Sequence, residues 1–351
     1  MKTPSVAVVK CDFHDNHSTS WSHTWLDYCK DKNIPYCLID WREYNAYEKL
    51  VKYDIVLWHF SHYSHQEMIF ARNILNSLKA AGCRVYPDNS DADHFDDKIA
   101  QSYLLGALGL PTPTNYSLHS EGAVEDWISS KSVFPVVAKL RAGSGAHNVK
   151  LIKGISELRS YSKKMFKSGF NSKPSLLFKV SSNLGSTKSW SQFLQRVKRA
   201  PEFFFSKKQA GQRMNESGYV YLQEFIPKVP YDLKIVVVGD KLSFFCRGVR
   251  KEDFRASGSG DLFYDHSLVT KKIIDIAFHA AEVMGSDCAG FDIITDPRTG
   301  LPVILEVSYG FSHTFILEAG GFYSRDGSWH EVALNAPQAL LEKIIDEVSR
   351  A

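Results

Sequence analysis

Phe134-Pro-Val-Val-Ala-Lys139, followed by Gly143-Ser-Gly145, is the stretch from which this fold can be read. An apolar run ending in a lysine and meeting a glycine turn reads as a strand that delivers a cation to a loop of bare backbone. Working outward, Tyr221-Leu-Gln-Glu-Phe-Ile226 is a second apolar strand that ends in polar groups. Arg247-Gly-Val-Arg-Lys-Glu-Asp-Phe-Arg255 is a dense arginine segment with Gly258 and Gly260 behind it. Gly290-Phe-Asp292 and Leu305-Glu306-Val307 then place single carboxylates on two otherwise apolar strands.

Phosphoryl chemistry needs cations around the phosphates, backbone that can approach them closely, and magnesium. Lys139 can reach phosphate oxygens as a point charge; a solvent-facing strand end is the plainer alternative. The N–H groups of Gly143, Ser144 and Gly145 can fold over phosphate oxygens, although the same tripeptide also makes ordinary hairpin loops. Gln223, Glu224, Phe225 and Ile226 combine a donor, an acceptor and an apolar slot, which an adenine requires; Glu224 alone also reads as a surface residue. Arg247, Arg250 and Arg255 suit bidentate capture of phosphate or carboxylate, or a surface cluster with Glu252 and Asp253. Asp292 and Glu306 are costly to bury unless a metal or cation meets them, and otherwise read as strand ends in water.

The first hundred residues alternate strands (Val6–Val9, Tyr36–Ile39, Ile55–Trp58, Val85–Tyr86) with helices (Trp21–Lys30, Glu67–Ala81), which predicts an open, largely parallel sheet. No GxGxxG follows the first strand, so dinucleotide binding is not supported. A helix over His94–Leu108 with Asp93 as N-cap is predicted, and Pro111-Thr-Pro113 opens a new lobe. Further along, strands over Tyr219–Phe225, Leu233–Val238, Leu242–Arg247, Gly290–Thr295 and Pro302–Val307 surround a helix at Lys271–Met284, and Asp296–Gly300 forms a hairpin turn. The implied organisation is an N-terminal α/β lobe (1–93), a central lobe (94–218) and a C-terminal lobe (219–351), an α/β and α+β architecture. The hydrophobic share of 44% is ample for several packed cores.

Six scattered cysteines form no CxxC pair, so neither a zinc site nor a disulfide framework is indicated. No long apolar run and no leader-like N-terminus is seen, and a cytoplasmic location is expected. The net charge of +3 hides an asymmetry: residues 159–213 hold thirteen Lys/Arg against Glu202 alone, a block of +12 that leaves −9 for the remainder. Such a block is a solvated basic face or a contact with something anionic.

In order and spacing these pieces resemble the ATP-grasp superfamily, in particular the carboxylate–amine ligase branch of ribosomal-protein glutamate ligase and glutathione synthetase, over about residues 90–320. The resemblance implies an ATP-grasp fold in which a central lid lobe and a C-terminal lobe clamp ATP. It implies Lys98 and Lys139 as phosphate lysines, Gly143–Gly145 as the lid loop and Gln223–Ile226 as the adenine hinge. Asp232 and Lys234 match a stretch where the family usually has Asp-x-Arg, Arg255 matches the arginine on the γ-phosphate and acyl phosphate, and Arg247 is a further catalytic candidate. Asp292 and Glu306 match the ligands of magnesium (or manganese). Two departures stand out: Glu306-Val-Ser308 replaces the usual Glu-x-Asn, which implies a weaker or rearranged second metal, and the basic block reads as an insertion.

The implied activity is ATP-dependent ligation of a small-molecule carboxylate and an amine through an acyl phosphate. A kinase on the same fold and a non-catalytic ATP-binding module are the rival readings. Aromatics among the basic residues (Phe178, Trp190, Phe193, Phe203–Phe205) suit an anionic glycan or its lipid-linked precursor at the inner membrane face, in preference to nucleic acid. A homodimer is an open expectation. Arg325 is read as a candidate for an acceptor carboxylate. His14, His17, His59, His62 and His65 are read as loop residues, a metal cluster or a cleft lining.

Overall fold

The computed structural model describes residues 3–11, 13–15, 20–143, 148–171, 215–249 and 261–350. In the N-terminal lobe the elements are β1 (Val6–Val9), α1 (Trp21–Asp31), β2 (Tyr36–Ile39), α2 (Ala46–Leu50), β3 (Ile55–Leu57), α3 (His65–Ala80), β4 (Arg84–Tyr86) and α4 (Asn89–Ala92). The strands form a parallel sheet in the order β2-β1-β3-β4, as the βα alternation predicts. Every residue of β1 and β3 is buried, which is why these segments read as unbroken apolar runs and not as alternating ones.

The predicted helix at His94 starts four residues later. Helix α5 runs Lys98–Ala107, and its cap is Asp97, whose side chain accepts from the Ala100 N–H; Asp93 instead closes α4. Asp96 adopts a left-handed backbone (φ 54°), which no helix continues through. Next come β5 (Asn115–Leu118), α6 (Glu121–Ser130), β6 (Val136–Lys139), β7 (Lys150–Ile152), α7 (Ile155–Lys167), β8 (Phe170–Asn171), β9 (Asn215–Glu216) and β10 (Val220–Glu224). The central sheet has the order β5-β10-β6-β7, antiparallel throughout. Strand β10, grouped with the C-terminal lobe by its place in the sequence, is therefore interior to the central sheet.

The C-terminal lobe contains β11 (Tyr231–Val238), β12 (Lys241–Gly248), β13 (Leu262–Phe263), α8 (Lys271–Met284), β14 (Cys288–Asp296), β15 (Leu301–Ser308), α9 (His313–Glu318), β16 (Phe322–Tyr323), β17 (Trp329–His330) and α10 (Ala336–Arg350). Its sheet runs β15-β14-β11-β12-β16-β17, with β13 on β12. Helix α8 buries Ile273, Ile274, Ala277, Phe278, Ala281 and Met284 on this sheet, and each large apolar side chain contributes about 1.5–3 kcal/mol. Gly285, in the left-handed region (φ 65°), ends the helix where the sequence turns into β14.

The N- and C-terminal lobes share one core, in which Trp25, Trp58 and Tyr86 pack with Val236, Cys288, Tyr309 and Leu340. Three buried hydrogen bonds cross between them: Trp25 Nε1 to the Pro337 carbonyl (2.9 Å), Tyr86 Oη to the Cys288 carbonyl (3.0 Å) and Tyr309 Oη to the Phe60 carbonyl (2.7 Å). Among the described residues no helix is long and apolar enough to cross a membrane.

Candidate active site

The charged centre follows from strand register. Asp232 and Lys234 are two apart on β11 and so share one face. Asp232 lies opposite Arg247 on β12, Lys234 opposite Asp292 on β14, and Asp292 opposite Glu306 on β15. Four neighbouring strands thereby bring two cations and three carboxylates to one face. Arg247 grips Asp232 through two bonds, Nε–Oδ1 at 2.6 Å and Nη2–Oδ2 at 2.8 Å, and its Nη2 also lies 3.0 Å from Asp292 Oδ2. Lys234 Nζ sits 2.8 Å from Asp292 Oδ1, which receives no directional hydrogen bond. Gly290 makes room for this lysine, because a Cβ there would stand 2.9 Å from Lys234 Cε.

Burial alone would raise the Asp292 carboxyl, but Arg247 and Lys234 outweigh it and hold the group well below the usual carboxylate range. Burial pushes Asp232 up to about 6, only partly offset by Arg247 and reinforced by the charge of Asp292.

Two more lysines reach this centre from the central lobe. Lys98, the first residue of α5, lies 3.4 Å from Glu306 Oε1 and donates to the Gly143 carbonyl at 2.7 Å. Its burial disfavours the charge, but Glu306 and Asp96 more than compensate and raise it. Gly143 has φ +122° and donates its N–H to Asp96 Oδ1 (2.8 Å), so Asp96 and Lys98 fix the start of the glycine loop from both sides. Lys139 ends β6 and donates to Gln223 Oε1 at 2.6 Å. Burial brings Lys139 down to about 8, with Glu306 opposing and Lys98 adding to the shift.

Gln223 is buried, and its Nε2 donates to Asn115 Oδ1 at 3.0 Å. Glu224 is clasped by Arg298 (2.7 Å) and by the Thr114 N–H and hydroxyl (3.3 Å each). Phe225 and Ile226 lead partly exposed into the connection to β11. No sequence signal marks Arg298; it belongs to the hairpin turn between β14 and β15, and only the tertiary fold carries it to Glu224.

Ser144, Gly145, Arg250 and Arg255 lie outside the described residues, as do residues 172–214 of the basic block with the predicted helix at Trp190–Arg199. The Ser308 hydroxyl donates to the Gly310 carbonyl (2.9 Å) and accepts from its N–H (3.1 Å), closing a turn. Arg325 pairs with Glu282 at 2.9 Å and covers the Phe278 ring, on α8 and away from the charged centre. His59 is buried between the faces of Trp21 and His14, with ring centroids 4.4 and 4.3 Å away.

Among the described residues no three His, Cys, Asp or Glu side chains converge as a metal cage. Magnesium bound with a nucleotide needs no such cage, since phosphate oxygens and water complete its shell around one or two carboxylates. Asp292 and Glu306, side by side on the sheet, match that donor set.

No protein family matches the chain by sequence, and no curated protein does. Solved structures do match in shape. D-alanine–D-alanine ligase from Bacillus anthracis, complexed with ATP, has a TM-score of 0.57 at 12% identity over 100% of this chain and 98% of that one. D-cycloserine synthetase DcsG has a TM-score of 0.57 at 12% identity, covering 98% of this chain and 99% of that one. A RimK domain ATP-grasp protein from Sphaerobacter thermophilus has a TM-score of 0.52 at 14% identity, covering 98% and 99%. Identity this low establishes architecture and not activity. The described residues have the ATP-grasp fold.

Proposed function

We propose that this protein is an ATP-dependent ligase that joins a carboxylate to an amine through an acyl phosphate. The observation that carries the reading is the gathering of Lys98, Lys139, Lys234 and Arg247 around Asp292 and Glu306. The names of the fold neighbours, which include ligases and a synthetase, support it.

In this reading Lys98, Lys139 and the Gly143 loop hold the phosphates, and the segment Gln223–Ile226 receives the adenine. Lys234 and Arg247 face the transferring phosphoryl group, and Arg255, outside the described residues, is assigned to the same group by the family resemblance. The substrate carboxylate attacks the γ-phosphorus, and the bond to the bridging oxygen breaks as ADP leaves. The amine then attacks the acyl carbon, loses a proton and expels phosphate. Magnesium held by Asp292 and Glu306, with Ser308 at most through a water, would neutralise charge on the phosphates. The lobes around the site exclude the water that would hydrolyse an acyl phosphate.

Mg-ATP, hydroxylamine and pools of carboxylic acids test the proposal. Hydroxamate together with ADP supports the ligase. ADP with a phosphorylated product and no hydroxamate means a kinase, and ATP binding that no acid pool converts to turnover favours the binding module.

Lys139 adds a pH signature. Its charge is lost near pH 8 and not near 10.5, so kcat/KM for ATP is expected to fall as pH rises through about 8. Lys139→Met, which has no titrating group there, should be slower at every pH and should lack that limb in a pH–rate profile.

The +12 block at 159–213 favours an acid carried on an anionic glycan or its lipid-linked precursor, amidated by an amino acid or amino alcohol at the inner membrane face. Raising salt to roughly half molar should weaken affinity for such an acceptor and spare that for a small uncharged analogue; equal affinities at both salts would remove the electrostatic role.

A further inference from the structure

Gln101 lies three residues after Lys98 on α5, so both side chains leave the same side of the helix. It is 3% exposed. Strand β15 is the edge of the C-terminal sheet, and among the described residues the backbone groups on its outer side have no strand partner. Gln101 acts as one. Its Oε1 accepts from the Val307 N–H at 3.2 Å, and its Nε2 donates to the Val307 carbonyl at 2.8 Å. The second Nε2 hydrogen goes to the His94 carbonyl at 3.0 Å. Both donors and the acceptor of the amide are thus used, and Val307 is the residue between Glu306 and Ser308.

We propose that Gln101 is a positioning residue: by pairing with Val307 it bolts α5 to β15 and sets where Lys98 stands relative to Glu306 at the phosphate end of the nucleotide. This rests on the reading of the charged centre as an ATP site. A buried glutamine that merely joins two elements would support the whole fold equally. A positioning residue acts on the phosphate end alone, and that difference can be measured.

The full chain carrying Gln101→Met or Gln101→Glu is titrated with Mg-ATP and with adenosine by calorimetry. Gln101→Met should weaken ATP binding about tenfold, the scale of one or two lost buried hydrogen bonds, and leave adenosine binding unchanged. Gln101→Glu, when ionised, sets oxygens against the Val307 and His94 carbonyls and should behave likewise. As pH is lowered its protonated carboxyl regains one donor, so its ATP affinity relative to wild type should recover, whereas Gln101→Met should not. If Gln101→Met does not fold, the Gln101→Glu pH series decides alone. Equal losses for ATP and adenosine, unchanged ATP affinity, or no recovery on acidification would each overturn the proposal. A wild-type chain that binds adenosine and ATP no differently removes the nucleotide reading and this inference together; wild-type ATP binding with unaffected variants removes the inference alone.

Discussion

Asp292→Ala is expected to abolish ATP turnover and to lower the unfolding free energy by about 3 kcal/mol, the scale for breaking a buried ion pair from one side. Lys234 Nζ and Arg247 Nη2 both meet this carboxylate, at 2.8 and 3.0 Å. Arg247 would keep Asp232, but Lys234 would be left with the Gly290 carbonyl at 3.3 Å. An uncompensated ammonium in that position costs more than the lost attraction. Denaturant unfolding of Asp292→Ala and of the double variant Asp292→Ala/Lys234→Met separates the two effects: the second change should restore much of the stability and none of the turnover. The pH dependence has a definite sign. A carboxylate held low in the folded state contributes its full stabilisation above its unfolded value of about 4 and loses it as pH falls below. The acid limb of the wild-type stability curve should therefore be steeper than that of Asp292→Ala.

Lys98→Met should lower turnover by about 100- to 1000-fold, the usual effect of deleting one preorganised cation or donor from a transition-state site. Glu306 and Asp96 keep Lys98 charged in spite of burial, and its bond to the Gly143 carbonyl links the charge to the glycine loop. The loss should appear in kcat and in KM for ATP, measured by steady-state kinetics. Lys98→Arg should not rescue it, because a planar guanidinium does not fit a buried position that holds a compact ammonium.

Much of this arrangement was legible because its signals are local. The strands carrying Lys139, Gln223, Asp292 and Glu306 announce themselves as apolar runs broken or ended by one or two polar residues, and the βα rhythm of the first lobe is a spacing pattern. What stayed hidden depends on long-range contact. The bond from Lys139 to Gln223 spans 84 residues and exists because β10 enters the central sheet between β5 and β6. Arg298 meets Glu224 only when a turn of the C-terminal lobe reaches the connecting segment. The start of α5 is ambiguous in the sequence because Asp93 and Asp97 are chemically equal caps, and the left-handed Asp96 between them, bonded to Gly143, decides the matter. Helix α10 lies outside the elements predicted from the sequence, although Ala336, Leu340, Leu341 and Ile344 have helical spacing.

That last helix has a consequence for the order of synthesis. Leu340, Leu341 and Ile344 belong to the same core as β1, β3 and Trp25, and the Pro337 carbonyl receives the Trp25 indole N–H. The N-terminal lobe therefore waits, with part of its apolar surface uncovered, until α10 has also been made. Ribosomes that stop short of residue 336 would release a chain whose N-terminal lobe is left unfinished.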